Sequence, residues 1–549
     1  MENIALIYFS VVRFVLPLFA IMILAISINT LLHNLKRKTL ARFAVDGFTN
    51  VVEIKGSECL IGKSIMCDLR LRGSSIKKYH AILTLTDYGF KITPTEPENA
   101  VYVNNYKVEG EAYLQSGDKI MIGSTAIKIA INPAINHTAK MKSDKKTSKL
   151  RLCNTLCLTL FQIFAAVGYI LSDTAHFKEM VIAFGGLIAF EWIYLSIRGF
   201  KTNTTVEILA FFLTSVGFCV SASVSGEGLI KKAFFVGVGF MLYLLLSLFL
   251  TKLEWVEKLN IPVCIICVAL FIFNIVFAVS INGALNWVTI GGISFQPSEF
   301  IKVALVFVSA CSIEKMVKLK SLTVYLGFVF ICLLSLAYMR DFGTAVIYFA
   351  AMLVVLALRL CDLKIIGAIL GGASVVGLIV IKVIPYVTTR FATYRHAWEY
   401  ASSGGYQQTQ TMMSIASGGL FGLGPQKSHL KNVSAADTDL VFGMIAEELG
   451  LIIAVVTALC FLLFVIYASI CISRTRSIYY AITASAAATI FMLQASLNIF
   501  GSVDLLPLTG VTLPFISNGG SSIIACFMLL AFIKVAGAKF VVLKKGGNG

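Results

Sequence analysis

Hydrophobic runs recur along most of the chain, separated by polar stretches of uneven length. The first covers about residues 4–32. Later ones fall near 153–171, 179–197, 207–223, 232–250, 261–281, 299–314, 322–338, 343–359, 364–385, 440–470, 478–500 and 514–538. Most approach the ~20 apolar residues a helix needs to cross a bilayer, so the pattern predicts about 13 spans. One region departs from it. From Phe43 to Asn132, apolar and polar positions alternate in short stretches such as Val51–Ile54, Ala81–Leu85, Val101–Val103 and Lys119–Ile122. Gly-Asp and Asn-Asn pairs mark the turns between them. About 90 residues of this kind predict a small all-β sandwich. The expected fold class is a mainly α polytopic membrane protein carrying one such sandwich.

The plan that follows has six parts: a transmembrane anchor at 1–35, the sandwich at 43–132 and a basic linker at 133–152. Two additional transmembrane helices at 153–200 come next, then a helical core at 201–540 and a tail at 541–549. The linker contains Lys140 to Arg151 and reads as a solvated tether and topology signal.

Composition narrows the class. Of 549 residues, 58% are hydrophobic and 14% charged, which excludes a soluble enzyme, a disordered chain and a fibre. The formal charge of +17, from 46 Lys+Arg against 29 Asp+Glu, needs no nucleic acid, because basic cytoplasmic loops set membrane topology. Lys36, Arg37, Lys38 and Arg42 follow the first apolar run instead of preceding it, the reverse of a cleaved signal. The anchor is therefore expected to leave its N-terminus outside. Arg198/Lys201, Lys252/Lys258, Lys315/Lys318/Lys320, Arg359/Lys364 and Arg474/Arg476 then fall on the same side as the sandwich and the C-terminus, the cytoplasm. Lys231-Lys232 is the exception, since it falls on an expected outer turn. Most of the 13 Cys lie in apolar runs and read as small hydrophobes. No pair among the six His has metal-ligand spacing.

Four expected outer segments hold the unusual polar residues of the core. The first runs from Asn282 through Trp287 to Pro297-Ser298-Glu299, with Lys302 one helical turn on. Glu299 and Lys302, three apart, share a helix face. The second is Arg340-Asp341-Phe342-Gly343-Thr344. The third holds Arg390, Arg395, Gln407, Gln410 and Asp437-Thr438-Asp439, and the fourth runs from Asp504 to Ser522. Ionisable residues at membrane depth are functional candidates. Guanidinium forks suit phosphate oxygens, and a nearby carboxylate is able to take a proton from a sugar hydroxyl. The implied ligand is an anionic, pyrophosphate-bearing lipid. Capping explains any one of these carboxylates about as well; it is their concentration on one face that favours chemistry. Glu447 and Glu448 read instead as a buried interhelical hydrogen-bonding pair.

Five blocks in order, NGALNWVTIGGISFQPSE, RDFGTA, GGYQQTQTMMSIASGGLFGLG, DTDLVFGMIAEELG and LPLTGVTLPFISNGGSS, resemble the SEDS family of RodA, FtsW and SpoVE membrane glycosyltransferases. The resemblance covers roughly 207–538. It implies an inverting polymerase that extends glycan strands from lipid II outside the membrane, with undecaprenyl pyrophosphate as leaving group. It also implies a class B penicillin-binding protein, a transpeptidase, as partner. Asp439 matches the family's general base. Glu299, Lys302 and Asp341 match its polar-cavity positions, and Arg390 and Arg395 its loop arginines, assigned to pyrophosphate. Trp287 and Gln410 complete the expected substrate-binding set. A divalent cation, Mg or Mn, would assist the leaving group, although the residues define no ligand set for one. This chain departs from the family pattern at Asn286 (for Arg), Arg340 (for Pro), Asp437 (for His) and Asn518 (for Tyr).

The sandwich resembles forkhead-associated (FHA) domains through Gly62-Lys63, Ser64, Asp68-Leu69, Lys77-Lys78-Tyr79-His80, Asn99, Val103-Asn104 and Gly117-Asp118. That family binds phosphothreonine. Lys63, Lys77, Lys78 and Asn99 stand at its binding positions, with Lys77 in place of Ser. The implied partner is a phosphorylated protein, held by lysines as point charges; a scaffolding role with exposed lysines fits the same residues. His80 is expected to brace the loop. Three functions stay open for the whole chain: a lipid II polymerase, a lipid II flippase and a non-catalytic scaffold of the cell-wall machinery. Elongation, division and sporulation are equally open.

Overall fold

The computed structural model describes residues 2–35, 40–45, 51–54, 58–64, 67–71, 73–86, 88–132, 137–173, 176–198, 203–251, 259–281, 284–290, 293–312, 319–360, 363–472 and 478–537. An apolar helix, α1 (Glu2–Leu35), precedes an eleven-stranded sandwich. Its strands are β1 (Ala41–Val45), β2 (Val52–Ile54), β3 (Glu58–Gly62), β4 (Leu69–Arg70), β5 (Ala81–Thr86), β6 (Gly89–Pro94), β7 (Val101–Val103), β8 (Tyr106–Lys107), β9 (Ala112–Leu114), β10 (Lys119–Ile122) and β11 (Thr125–Ile131). One sheet runs β2-β1-β11-β10-β7-β8 and the other β4-β3-β5-β6-β9. All pairs are antiparallel except β3–β4. Alternate residues point inward, and Phe43, Ile61, Leu83, Phe90, Ile120 and Ile127 form the apolar layer between the sheets. The alternation read at 51–54, 81–85, 101–103 and 119–122 corresponds to β2, β5, β7 and β10.

Sixteen helices in all are described, the rest being α2 (His137–Ser172), α3 (Phe177–Arg198), α4 (Thr205–Val224), α5 (Gly226–Leu250), α6 (Asn260–Phe277), α7 (Pro297–Ser312), α8 (Leu319–Tyr338), α9 (Phe342–Leu360), α10 (Leu363–Val383), α11 (Pro385–Thr393), α12 (Tyr406–Gly418), α13 (Val441–Glu448), α14 (Leu451–Ile472), α15 (Ile478–Ser502) and α16 (Gly520–Ala536). Among the described residues, eight helices are long and apolar enough to cross a membrane, and four shorter apolar helices accompany them. Helix α4 is buried along nearly its whole length and forms the centre of the bundle.

Two readings change. The stretch 133–152, expected as a tether, is helical from His137 and continuous with the first additional transmembrane helix. Its lysines suit helix as well as coil, so charge alone did not distinguish the two. The first outer segment is not a plain loop either. It forms a three-stranded sheet, β12 (Val279–Ile281), β13 (Ala284–Ile290) and β14 (Ile293–Phe295), in antiparallel register.

The additional helices are tied to the core by polar contacts at three depths. Tyr194 donates to Glu207 Oε1 at 2.6 Å, where Tyr243 also donates and Lys534 pairs. Gln162 donates to Ser215 Oγ at 3.0 Å. Tyr169 donates to Glu448 Oε2 at 2.7 Å, alongside Ser223 at 2.6 Å. Buried polar groups are costly when unpaired, so these contacts make α2 and α3 integral parts of the bundle. Tyr169→Phe removes one of the two donors to a buried carboxylate oxygen. Unfolding in detergent should register a loss of about 1–3 kcal/mol; an unchanged transition would show the contact to be idle.

The sandwich lies at the end of the bundle where α5 finishes and α15 begins. Leu60, Cys67, Tyr79 and Ile82 belong to the same apolar cluster as the helices there, and Tyr480 donates to the Leu250 carbonyl at that end. Eleven of the cysteines are free thiols, buried except for Cys153 and Cys264.

Candidate active site

At the opposite end of the bundle the four polar segments meet. The segment 503–519 crosses between two groups and touches both. On one side Pro297 starts α7, fixing the first turn, and places Glu299 and Lys302 on one buried face. Lys302 Nζ lies 2.9 Å from both carboxylate oxygens of Glu299. Asp341 caps α9 by accepting from Thr344 N at 3.0 Å, and its other oxygen accepts from Gln296 Nε2 at 3.1 Å. Gln296 N in turn donates to Ser521 Oγ at 3.1 Å. Capping and site-building thus coincide at Asp341. Trp287 lies half-buried on β13, paired across to Val279.

On the other side stands Asp439, two residues before α13. Its backbone is fixed from three directions. Its own N–H donates to the Ala435 carbonyl at 2.9 Å. Asn498 on α15 donates to the Asp439 carbonyl at 3.0 Å and to that of Val511 at 2.8 Å. Ser517 donates to the Thr438 carbonyl at 2.6 Å. The carboxylate faces Gly510, which has φ +70; a Cβ there would lie 3.4 Å from Asp439 Oδ2. Glycine suits this position for both its backbone conformation and the open space it leaves beside the carboxylate. Burial pushes the Asp439 carboxyl up to about 6; Thr438 and the Arg390 charge oppose this, and Asp437 adds to it. Arg390, half-buried on α11, donates from Nη1 to the Leu508 carbonyl.

The remaining expected residues are placed differently. Arg395 is exposed, with its guanidinium over the Tyr394 ring and its backbone N–H donating to Asp504 Oδ1 at 3.1 Å. Gln410 lies half-buried on α12. Glu447 accepts from Ser428 Oγ and from the N–H groups of His429 and Leu430, and Glu448 from Tyr169 and Ser223. Both are buried hydrogen-bonding groups; Glu448 is bonded between helices as expected, whereas Glu447 holds the 428–430 segment instead. Arg340, Arg395, Ala435, Asp504 and Phe515 all adopt positive φ. Such strain persists only where surrounding contacts impose it, and it gathers at functional sites. Among the described residues no group of three or more His, Cys, Asp or Glu side chains converges. Asn498 and Ser517 were not anticipated; a lone Asn in the apolar run 478–500 was the signal available.

On the sandwich, Lys63 N donates to the Lys77 carbonyl at 3.1 Å and Ser64 N to that of Lys78 at 3.0 Å. This ladder gathers the exposed Lys63, Lys77 and Lys78 at one edge, where Arg70 Nε also donates to the Lys63 carbonyl. His80 accepts from Lys77 N at Nδ1 and meets the Ala100 carbonyl through Nε2. It braces the loop, and burial lowers its proton affinity. Asn99 is buried and donates to the Tyr79 and His80 carbonyls and to Thr95 Oγ1. Its amide supports the loop from beneath.

A helical membrane bundle with a polar site at one end and a lysine-edged β module at the other is the class that fold and site define. The family model described as a cell cycle protein, FtsW/RodA/SpoVE, matches residues 200–539, and the FHA domain model matches 59–123. The chain belongs to the FtsW/RodA/SpoVE family and carries an FHA domain; it is a multi-pass bacterial membrane protein. It is 32% identical over 360 residues to a probable peptidoglycan glycosyltransferase FtsW of Wigglesworthia glossinidia brevipalpis, covering 60% of this chain and 92% of that one. It is 29% identical over 318 residues to stage V sporulation protein E of Bacillus subtilis, covering 55% and 85%. A solved structure described as a peptidoglycan synthase complex that coordinates polymerization and crosslinking shares the fold. That match has a TM-score of 0.50 at 22% identity, covering 61% of this chain and 96% of that one.

Proposed function

We propose that this protein is a peptidoglycan glycosyltransferase that polymerises lipid II at the outer face of the cytoplasmic membrane. The observation that carries the reading is Asp439: a carboxylate held by its backbone, raised in proton affinity, and accompanied by Arg390. In this reading Asp439 takes the proton of the acceptor sugar hydroxyl. The freed oxygen attacks the anomeric carbon of the donor, the bond from that carbon to the phosphate oxygen breaks, and the lipid pyrophosphate leaves with inversion. Arg390 receives the leaving pyrophosphate, with Arg395 at the rim. Glu299, Lys302, Asp341, Trp287 and Gln410 line the path of the lipid-linked sugars. The sandwich and C-terminus lie in the cytoplasm and the N-terminus outside. A class B penicillin-binding protein crosslinks the product. Purified protein given lipid II should yield glycan strands; lipid movement without polymer would instead identify a flippase.

We assign the lysine edge of the sandwich to a phosphorylated protein. Changing Lys63, Lys77 and Lys78 together to Ala should weaken phosphopeptide binding to the full chain by at least about tenfold, each charge-assisted contact being worth roughly 1–3 kcal/mol. Titration calorimetry measures it, and unchanged affinity would refute the assignment. Asn99→Ala should lower the unfolding temperature of the sandwich, since it removes a buried brace.

A further inference from the structure

Lys232, the charge that broke the topological pattern, does not lie on a turn. It sits within α5, 3% exposed, at the site end of the bundle. Its ammonium donates to the Gly217 carbonyl at 2.8 Å, to Ser221 Oγ at 3.0 Å and to the Ile516 carbonyl. All three acceptors are neutral, so the charge has no carboxylate in direct contact among these partners. The chain of bonds continues. Ser221 Oγ reaches Asn518 Oδ1 at 2.5 Å and the Gly217 carbonyl at 2.8 Å, its single proton serving one of them at a time, and Asn518 Nδ2 donates to Asp437 Oδ2 at 2.9 Å. Asn518 N also donates to the Asp437 carbonyl at 2.9 Å. With the Ser221 proton on Asn518, the shorter of its two contacts, every side-chain link from ammonium to carboxylate points the same way, donor to acceptor. A chain so oriented polarises each of its members, and it connects a buried cation to the anion that balances it. Asp437 and Asn518, both departures from the family pattern, are bonded to each other twice.

We propose that Lys232 is a positioning residue which, through Ser221 and Asn518, fixes Asp437 and with it the carboxylate of Asp439 two residues on. The inference rests on the glycosyltransferase reading above. The turn 435–439 is bonded to the bundle on two flanks: Asn498 and Ser517 hold the backbone at 438–439, and Asn518 holds 437. Lys232 supplies the charge that makes the second hold strong. Without it, Asp437 keeps its negative charge beside Asp439 with less to restrain it.

The test uses the full chain in detergent with lipid II. K232M and D437N should each lower kcat by at least about tenfold while the donor KM changes less than about twofold, as for a contact that acts on the transition state. S221A, which cuts the chain and keeps both charges, should fall between these and wild type. K232M/D437N removes both charges and should recover to within about threefold of the better single variant. Losses that add across the pair, or a raised KM at constant kcat, would overturn the proposal. Wild type, K232M, D437N and K232M/D437N compared by thermal unfolding give a second cycle: non-additive shifts support the link and additive shifts overturn it. If wild type makes no polymer, the glycosyltransferase reading fails separately, and the unfolding cycle still decides whether Lys232 and Asp437 are coupled.

Discussion

Asp439→Asn should reduce glycan polymerisation by about 10²–10⁴-fold, the range a positioned general base contributes, with unfolding temperature and lipid II binding nearly unchanged. The amide keeps the shape of the side chain and loses its ability to accept a proton. The backbone bonds from Asn498 and to Ala435 are indifferent to the change, so the turn should survive. The pH dependence follows from the raised carboxyl, at about 6. A base works when deprotonated, so polymerisation should be full above that value and fall tenfold per pH unit well below it. The charged groups facing Asp439 are Arg390 and Asp437. Arg390→Gln should therefore move the acid limb upward, since a neighbouring cation favours the charged carboxylate. A flat profile between pH 5 and 7, or an Asp439→Asn variant with wild-type rates, would remove Asp439 from the chemistry.

The second large effect lies at the buried pair. Lys302→Met leaves Glu299 desolvated with no counter-charge, and breaking such a pair costs about 3–5 kcal/mol. Unfolding in detergent should shift down accordingly. Adding Glu299→Gln removes the stranded charge and should recover most of the loss. A double variant no more stable than Lys302→Met would show that the pair holds the bundle by contacts other than charge. The outcome separates scaffold from chemistry, because recovered stability with absent polymer places these residues on the substrate path.

The sequence made part of this legible. Alternation at β5 and β10 was readable because each has one face in the sandwich core, and a period of two survives in the residues. The helical runs were readable for a similar reason: lipid and bundle interior both select apolar side chains. The same uniformity hid which face of a helix turns inward. Lys232 reads with Lys231 as part of an outer turn and Asn498 as an isolated polar intrusion in an apolar run, and their roles depend on partners 284 and 59 residues away. The β12–β14 sheet was obscured by its Gly pairs and polar positions, which read equally well as a loop. Asp439 was legible through the block it belongs to; its local pattern alone does not separate it from Asp437. The helix from His137 was missed because a lysine-rich stretch carries no periodicity that distinguishes it from a tether.

Helices α1 and α2 pack side by side, and the sandwich is inserted between them in the chain. Its entry and exit are therefore moored to neighbouring points on the bundle, and this module has no long leash on which to search its surroundings. Anything it captures is held within a few nanometres of the bundle, in a small volume where a second, weak contact with the bundle or with lipid becomes effectively intramolecular. With the lysine edge assigned to a phosphorylated segment as proposed, modest affinity is then sufficient to gather a partner beside the enzyme, because proximity supplies what the lysine edge alone does not.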